Sequence, residues 1–398
     1  MIRVATGVLV IAGVLTASAY SGELSVDDFT FKGPLGSKGA TIEKAGDNHF
    51  RVKLAPSVAK PSWRNMLQFT ILRHAKGKAL CVDCDSPGVR KFVSYSYDAR
   101  TWKPVVAKRV KVGKESLARL QFPAFTEDKV YVGGEVPMSY EDQAALMHGW
   151  AKHPHATLHV IGKSLEGRDV LRLTVTDPDS PHPRKARWVH HVVNQHCYEY
   201  NSQWRIAGMV DWLLSDAGAD CRRRHIAHFV VMMNVDGPSN GFSRDTSQGI
   251  DMNRSYSASG TNKAKQANEA FIVQRDLEQL NANDAPITTT WSMHTWAGNQ
   301  MEMMLRPGPE MGTVVGKPEA LRAIFERNDV RNQVKPLRLL TSALSPTHWC
   351  SGTHKQFGVS AFCCEGSADI YTKEENLHTG VVLMKSLAEF YTGTRPTK

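Results

Sequence analysis

Past its first twenty residues the chain has no apolar run approaching the roughly 18 residues of a membrane span, and no internal repeat or low-complexity tract. These absences exclude a polytopic membrane protein, a solenoid and a disordered array. Cysteine is scarce, and its count of seven is odd: Cys81, Cys84, Cys197, Cys221, Cys350, Cys363 and Cys364. At least one thiol is therefore unpaired unless it bridges to another chain, so a pure disulfide scaffold is excluded. Cys81 and Cys84 form a single C-x-x-C with no second ligand pair nearby, which reads as two ordinary cysteines or one local disulfide. Cys197, Cys363 and Cys364 read as buried apolar thiols. No recognition motif for DNA or RNA accompanies the formal charge of +10, so no nucleic-acid partner is expected.

What is present reads as an exported globular protein. Arg3 gives a positive n-region, Val4 to Thr16 is almost wholly apolar, and Ala17-Ser18-Ala19 matches a small-x-small cleavage site. This predicts a signal peptide over residues 1–19, a mature chain starting near Tyr20, a periplasmic or secreted location, and no membrane insertion after cleavage. Cleavage removes Arg3 and no acid, so +10 becomes +9. That excess favours anionic partners, such as peptides or cell-wall material. At 398 residues, 41% hydrophobic and 22% charged, the chain can bury two or three cores of ordinary size.

Residues 20–135 read as all-β. Short runs such as Phe50 to Leu54, Met66 to Leu72 and Arg90 to Tyr97 alternate with the turn signals Pro34-Leu35-Gly36, Ala45-Gly46-Asp47 and Ser86-Pro87-Gly88. The expectation is a β-sandwich. The pattern changes near Val136-Pro137, and residues 136–398 alternate strands with helices. Expected strands are Thr157 to Ile161, Val170 to Val175, Trp188 to Val193, Phe229 to Met233, Ile287 to Met293 and Val359 to Cys364. Expected helices are Tyr140 to Lys152, Ser202 to Ser215, Ala264 to Leu280, Glu319 to Asn328 and Glu374 to Tyr391. Near-continuous apolar strands alternating with helices indicate the α/β class, a mixed and mostly parallel sheet covered on both faces.

Ligands of such sheets gather at the carboxyl ends of strands. His196 and Glu199 lie just past the run ending at Val193, Asn234 and Asp236 close the run ending at Met233, His294 ends Thr288 to Met293, and Glu365 follows Ser360 to Cys364. Scattered positions thus converge on one rim. An imidazole and a carboxylate three residues apart after a strand can point at one cation, and both are zinc ligand types.

The order of these residues resembles the zinc metallocarboxypeptidase family, in its cytosolic-carboxypeptidase-like branch, which places a β-sandwich before the catalytic domain. The elements that carry the resemblance are His196-x-x-Glu199, Asn234-Val235-Asp236-Gly237, Arg244, Asp251-Met252-Asn253-Arg254, His294 and Glu365, after a leader Thr157 to Arg168 like the family's strand-turn-strand entry. The resemblance covers roughly residues 136–392. It implies one Zn2+ per chain on His196, Glu199 and His294, with Glu365 as the general base that activates water and later protonates the leaving amine. It implies that Arg244 stabilises the oxyanion and that Asn253 and Arg254 bind the substrate's terminal carboxylate, a task suited to a planar guanidinium fork. Asp251 is expected to orient its loop, and Asn234, Asp236 and Gly237 to shape the turn beneath the site.

Two features depart from the branch. Cys197-Tyr198 stands where Pro-Gly is common, and no tyrosine occurs between Gln300 and Cys364. That stretch instead offers His348, Trp349, His354 and Lys355 on a Ser/Thr/Gly-rich segment expected to be a loop lining the pocket, with Lys355 suited to an acidic terminal residue. The leading expectation is a carboxypeptidase acting on a C-terminal peptide or isopeptide bond of a peptide or peptidoglycan-like substrate with a free carboxylate. The alternatives are a zinc amidase or esterase on a non-peptide or cell-wall substrate, and a non-catalytic binding module.

Overall fold

The structure is a computed structural model that describes residues 23–58, 60–85, 89–296, 298–309, 318–334, 337–340 and 344–392. The expected signal peptide and the turn Ser86-Pro87-Gly88 lie outside the described residues. Among those described, no helix is long and apolar enough to cross a membrane.

The N-terminal part forms two five-stranded sheets. One runs in the order Phe29–Thr30, Phe69–Ile71, Val130–Gly134, Phe92–Ser96, Lys103–Val106, and the other Thr41–Gly46, His49–Lys53, Leu80–Asp85, Glu115–Phe122, Lys108–Val112. Alternation along these strands turns Phe50, Phe69, Val82, Leu120 and Phe122 into one shared core. Aromatic edges close it: Tyr95 meets Phe122 and Phe125 edge-on, with ring centroids 6.1 and 5.6 Å apart. All seven cysteines are free; Cys81 and Cys84 lie in the strand Leu80–Asp85 without a disulfide.

An eight-stranded mixed sheet organises the rest: Ala156–Lys163, Asp169–Val175, His225–Val230, Trp188–Val193, Thr289–Trp296, Ser360–Ser367, Glu302–Arg306, Arg338–Leu340. The four strands His225–Val230, Trp188–Val193, Thr289–Trp296 and Ser360–Ser367 are mutually parallel. The flanking Asp169–Val175 and Glu302–Arg306 run antiparallel to them. Every residue of Trp188–Val193 is buried, as a central strand covered on both faces requires. His190 and His191 are thus both core residues, one on each face of the pleat.

Three features differ from the sequence reading. The strand expected at Phe229 to Met233 is His225–Val230; Val231 to Met233 continue the apolar run because they stay buried after the sheet pairing ends. Glu302–Arg306 and Arg338–Leu340 are additional edge strands. Trp349–Phe357 is a helix rather than a loop, packed on the strands Thr289–Trp296 and Ser360–Ser367. Trp349 is fully buried there and His354 Nδ1 lies 2.9 Å from the Val359 carbonyl.

The helix Tyr200–Leu214 starts immediately after Glu199, so its placement sets that side chain. It crosses the helix Lys373–Phe390 backbone to backbone, through one glycine on each. A Cβ on Gly208 would lie 2.0 Å from the Leu377 carbonyl oxygen, and one on Gly380 would lie 1.9 Å from the Arg205 carbonyl oxygen. Because the obstacles are main-chain atoms, relief requires the helices to separate. Gly208→Ala should lower unfolding stability by about 1–3 kcal/mol, the usual range for overpacking; equilibrium urea unfolding measures it, and an unchanged midpoint would contradict this crossing.

Candidate metal centre

Four parallel strands deliver their carboxyl ends to one rim, and the sandwich covers it. The loop after Trp188–Val193 carries His196 and Glu199, whose residues are buried. His294 lies in Thr289–Trp296, in register with Glu365 of the neighbouring strand. The ligand atoms of His196, Glu199 and His294 all lie within 4.8 Å of one another. His196 Nδ1 is 3.1 Å from Glu199 Oε1, and His294 Nδ1 is 2.8 Å from Glu199 Oε2.

The far nitrogens are held from behind. His196 Nε2 is 3.0 Å from Asp251 Oδ1, and His294 Nε2 is 2.7 Å from Ser292 Oγ, a hydroxyl able to accept its proton. With Nε2 protonated toward the Asp251 carboxylate, His196 Nδ1 presents a lone pair toward Glu199, which is the tautomer a metal ligand needs. Two imidazoles and a carboxylate, converging in a buried pocket with their outer nitrogens engaged, fit a zinc ion with one coordination position left open.

Charge balance follows the geometry. Burial alone would raise the Glu199 carboxyl, but His196 and His294 against its two oxygens hold it well below the ordinary carboxylate range. Burial and Arg244 push the His196 imidazole down, yet Glu199 and Asp251 outweigh them and leave it raised. Asp251 resists burial through His196 and Arg244 and is lowered. Burial, reinforced by Glu199, raises the Glu365 carboxyl against the pull of His294.

Asp251 does more than orient its loop. One oxygen meets His196 and the Asn253 amide N–H (2.9 Å), and the other accepts from Arg244 Nε at 2.6 Å. Arg244 is further positioned over the Trp63 ring, 5.2 Å from its centroid. Arg254 is exposed, with Nη1 donating to the Asn253 carbonyl at 2.8 Å. Asn253 is buried, its Nδ2 is 3.1 Å from His294 Nε2, and its Oδ1 accepts from the Trp349 N–H at 3.0 Å. Both ends of its amide are engaged, so it props His294.

The turn elements also lock together. Asp236 accepts from Ser164 Oγ (2.7 Å) and Arg168 Nη1 (2.7 Å), joining the leader segment to the rim. Asn234 Nδ2 donates to the Asp245 carbonyl at 3.0 Å. Gly237 is required by the unusual loop: a Cβ there would lie 2.1 Å from Cys197 Sγ.

A cleft of about 350 Å³ opens beside the ligands, lined by Trp63, Arg90, Tyr198, Arg244, Trp296 and Glu365, among others. Lys355 is exposed in the last turn of its helix and does not line this cleft. His348 stands near Arg254, and burial together with that cation pushes its imidazole down to about 4. Arg90, Trp63 and Ser292 were not legible as site residues. Ser292 alone had a signal, since it lies two before His294 and therefore shares its strand face.

A larger groove of about 760 Å³ lies on the sandwich, where Arg51 pairs with Glu115 and Arg64 with Asp85. A second cluster, His49, Cys81 and Asp83, is likewise filled by a cation: Arg119 donates to both Asp83 oxygens at 2.7 Å.

Residues 143–305 match the family model described as zinc carboxypeptidase. The chain carries a zinc carboxypeptidase domain. The matched span includes His196, Glu199, Arg244, Arg254 and His294; Glu365 lies beyond it. Cytosolic carboxypeptidase 2 of Danio rerio is 32% identical over 145 residues, covering 34% of this chain and 20% of the relative. Cytosolic carboxypeptidase 3 of Mus musculus is 28% identical over 144 residues, covering 35% and 14%. The chain thus matches a fifth or less of the length of these relatives. The fold extends further than the sequence likeness. A metallo-carboxypeptidase from Burkholderia cenocepacia superposes with a TM-score of 0.74 at 15% identity, covering 91% of this chain and 98% of that one. A metallo-carboxypeptidase from Pseudomonas aeruginosa, solved with (2-guanidinoethylmercapto)succinic acid, gives 0.70 at 18% identity, covering 89% and 97%. The zinc carboxypeptidase domain therefore sits with its β-rich lead region in an arrangement known from solved bacterial structures.

Proposed function

We propose that the chain is an exported zinc-dependent carboxypeptidase that hydrolyses the bond preceding a free terminal carboxylate in peptides or peptidoglycan-like material. The observation that carries this reading is the convergence of His196, Glu199 and His294 within 4.8 Å beside Glu365. Zinc on those three ligands supplies Lewis acidity that makes hydroxide available near neutral pH. Glu365, lining the cleft, takes the proton from the attacking water and returns it to the leaving amine. Arg244, fixed by Asp251 and Trp63, presents a cation to the developing oxyanion. Arg254 takes the terminal carboxylate of the substrate with its fork. The excess of arginine in and around the cleft favours acidic over basic residues next to the scissile bond.

The test is a zinc titration of the purified chain together with hydrolysis of peptides ending in Glu, Lys, Phe and Ala. One zinc per chain, release of the terminal amino acid and a preference for Glu are expected. Arg254→Ala should raise KM by about 10–100-fold, the loss of one charged hydrogen bond. An unchanged KM for peptides would transfer support to ester or amide substrates that lack a terminal carboxylate.

A further inference from the structure

We infer that Arg90, supplied by the β-sandwich, is a positioning residue of the metal centre that sets the orientation of Glu199; this rests on the zinc reading above. Arg90 lies just before the strand Phe92–Ser96, in a different layer from every ligand. Its guanidinium crosses the boundary. Nη2 donates to Glu199 Oε1 at 3.2 Å and to the Tyr198 hydroxyl, and Nη1 donates to the Thr295 carbonyl. The same group lies over the Tyr198 ring, 4.1 Å from its centroid. Tyr198 and Glu199 belong to the loop after Trp188–Val193, while Thr295 follows His294 in the neighbouring strand. One rigid fork therefore ties the loop bearing His196 and Glu199 to the strand bearing His294. Tyr198, half of the departure from the common Pro-Gly, is the surface on which that fork rests.

Glu135 stands behind it. This residue directly follows the last sandwich strand, Val130–Gly134, and has φ 49°, a left-handed conformation that is strained for a non-glycine residue. Its carboxylate is buried, with Oε1 3.7 Å from Arg90 Nη1 and Oε2 accepting from the Asn201 N–H at 3.3 Å. The junction between the sandwich and the α/β part thus holds a strained acid against the arginine that reaches the site.

The consequence for Glu199 is geometric. Its Oε2 accepts from the Thr295 N–H at 3.2 Å, and its Oε1 accepts from Arg90. Each oxygen has an outer donor as well as an imidazole, so the carboxylate plane is fixed before any ion arrives. Two effects then compete. A guanidinium near the site repels a divalent cation, which predicts tighter zinc binding when Arg90 is removed. Loss of an outer donor lets the ligand rotate, which predicts weaker binding, typically by 10–100-fold. The three-way anchoring of Arg90 makes positioning the larger effect.

Zinc dissociation constants, measured on the full chain by competition with a chromophoric chelator, decide between them, with circular dichroism reporting the fold. Arg90→Ala should weaken zinc binding by about 10–100-fold. Tyr198→Phe keeps the ring but loses the hydroxyl and should weaken it less. Arg90→Lys should fall between wild type and Arg90→Ala, because an ammonium cannot reproduce the fork. Unchanged or tighter zinc in a folded Arg90→Ala overturns the inference, as does unchanged zinc with a raised KM, which would make Arg90 a substrate contact. If Arg90→Ala does not fold, unchanged zinc in both Arg90→Lys and Tyr198→Phe overturns it. Failure of the wild-type chain itself to bind zinc is a separate result, and sinks the zinc reading instead.

Discussion

Glu365→Gln should keep one zinc per chain while lowering kcat by a factor of about 10²–10⁴, the range that a positioned acid–base group contributes. The substitution preserves shape and leaves His196, Glu199 and His294 untouched. Glu365 stands in register with His294 across adjacent parallel strands, close enough to share the cleft yet outside the ligand cluster. A carboxamide cannot accept the proton of the attacking water, so binding and catalysis should separate. His196→Ala should not separate them: it removes a ligand and should lose zinc and hydrolysis together. Metal content by mass spectrometry and kcat on a peptide substrate make the comparison. Loss of zinc in Glu365→Gln would show that this carboxylate is a ligand; retained turnover would show that another group serves as base.

Much of this centre was legible because its residues obey local rules. Trp188–Val193 is a short, largely apolar run, so its end could be located and His196-x-x-Glu199 placed on the rim. His294 and Glu365 were legible for the same reason. Arg90 had no such rule: an arginine after a Ser-Pro-Gly turn looks like any solvated residue, and only the docking of the sandwich turns it inward. The setting of the Asn253 side chain was not legible because motif order says nothing about which way an amide faces, and the N–H of buried Trp349 takes its oxygen. The helix Trp349–Phe357 was hidden by Ser, Gly and Thr residues with weak helix propensity, which its packing on two central strands overrides. Packing between distant segments, rather than periodicity, decides each of these cases.

Mild acid should destabilise the fold steeply, because the sheet buries four histidines as neutral rings. His190 and His191 have their imidazoles pushed down to about 3 by burial, and burial holds His225 and His228 well below the ordinary value of 6.5. His190 Nε2 is 2.8 Å from His225 Nδ1, so a proton on either ring meets the other. His191 stacks on Trp349 with centroids 6.1 Å apart, and neither ring nitrogen has a hydrogen-bond partner among the described residues. As pH falls below 6.5 the unfolded chain takes up a proton at each histidine while the folded chain does not, so stability falls with pH throughout that window. Glu135 and Glu269 act in the opposite sense. Burial raises them to about 7 and about 6, so the folded state holds their protons while the unfolded carboxyls, near 4.5, have lost them. Taken by themselves, these six groups give four protons gained on unfolding against two released, a net uptake of about two and hence a contribution of roughly 3 kcal/mol lost per pH unit between about pH 6 and 4.5. Urea unfolding from pH 7.5 to 5 measures the slope. His191→Phe replaces one aromatic ring by another against Trp349 and should reduce the slope by one proton, about 1.4 kcal/mol per unit. A slope that the substitution leaves unchanged would mean that His191 is already charged or exposed in the folded protein, and the neutral core layer would have to be abandoned.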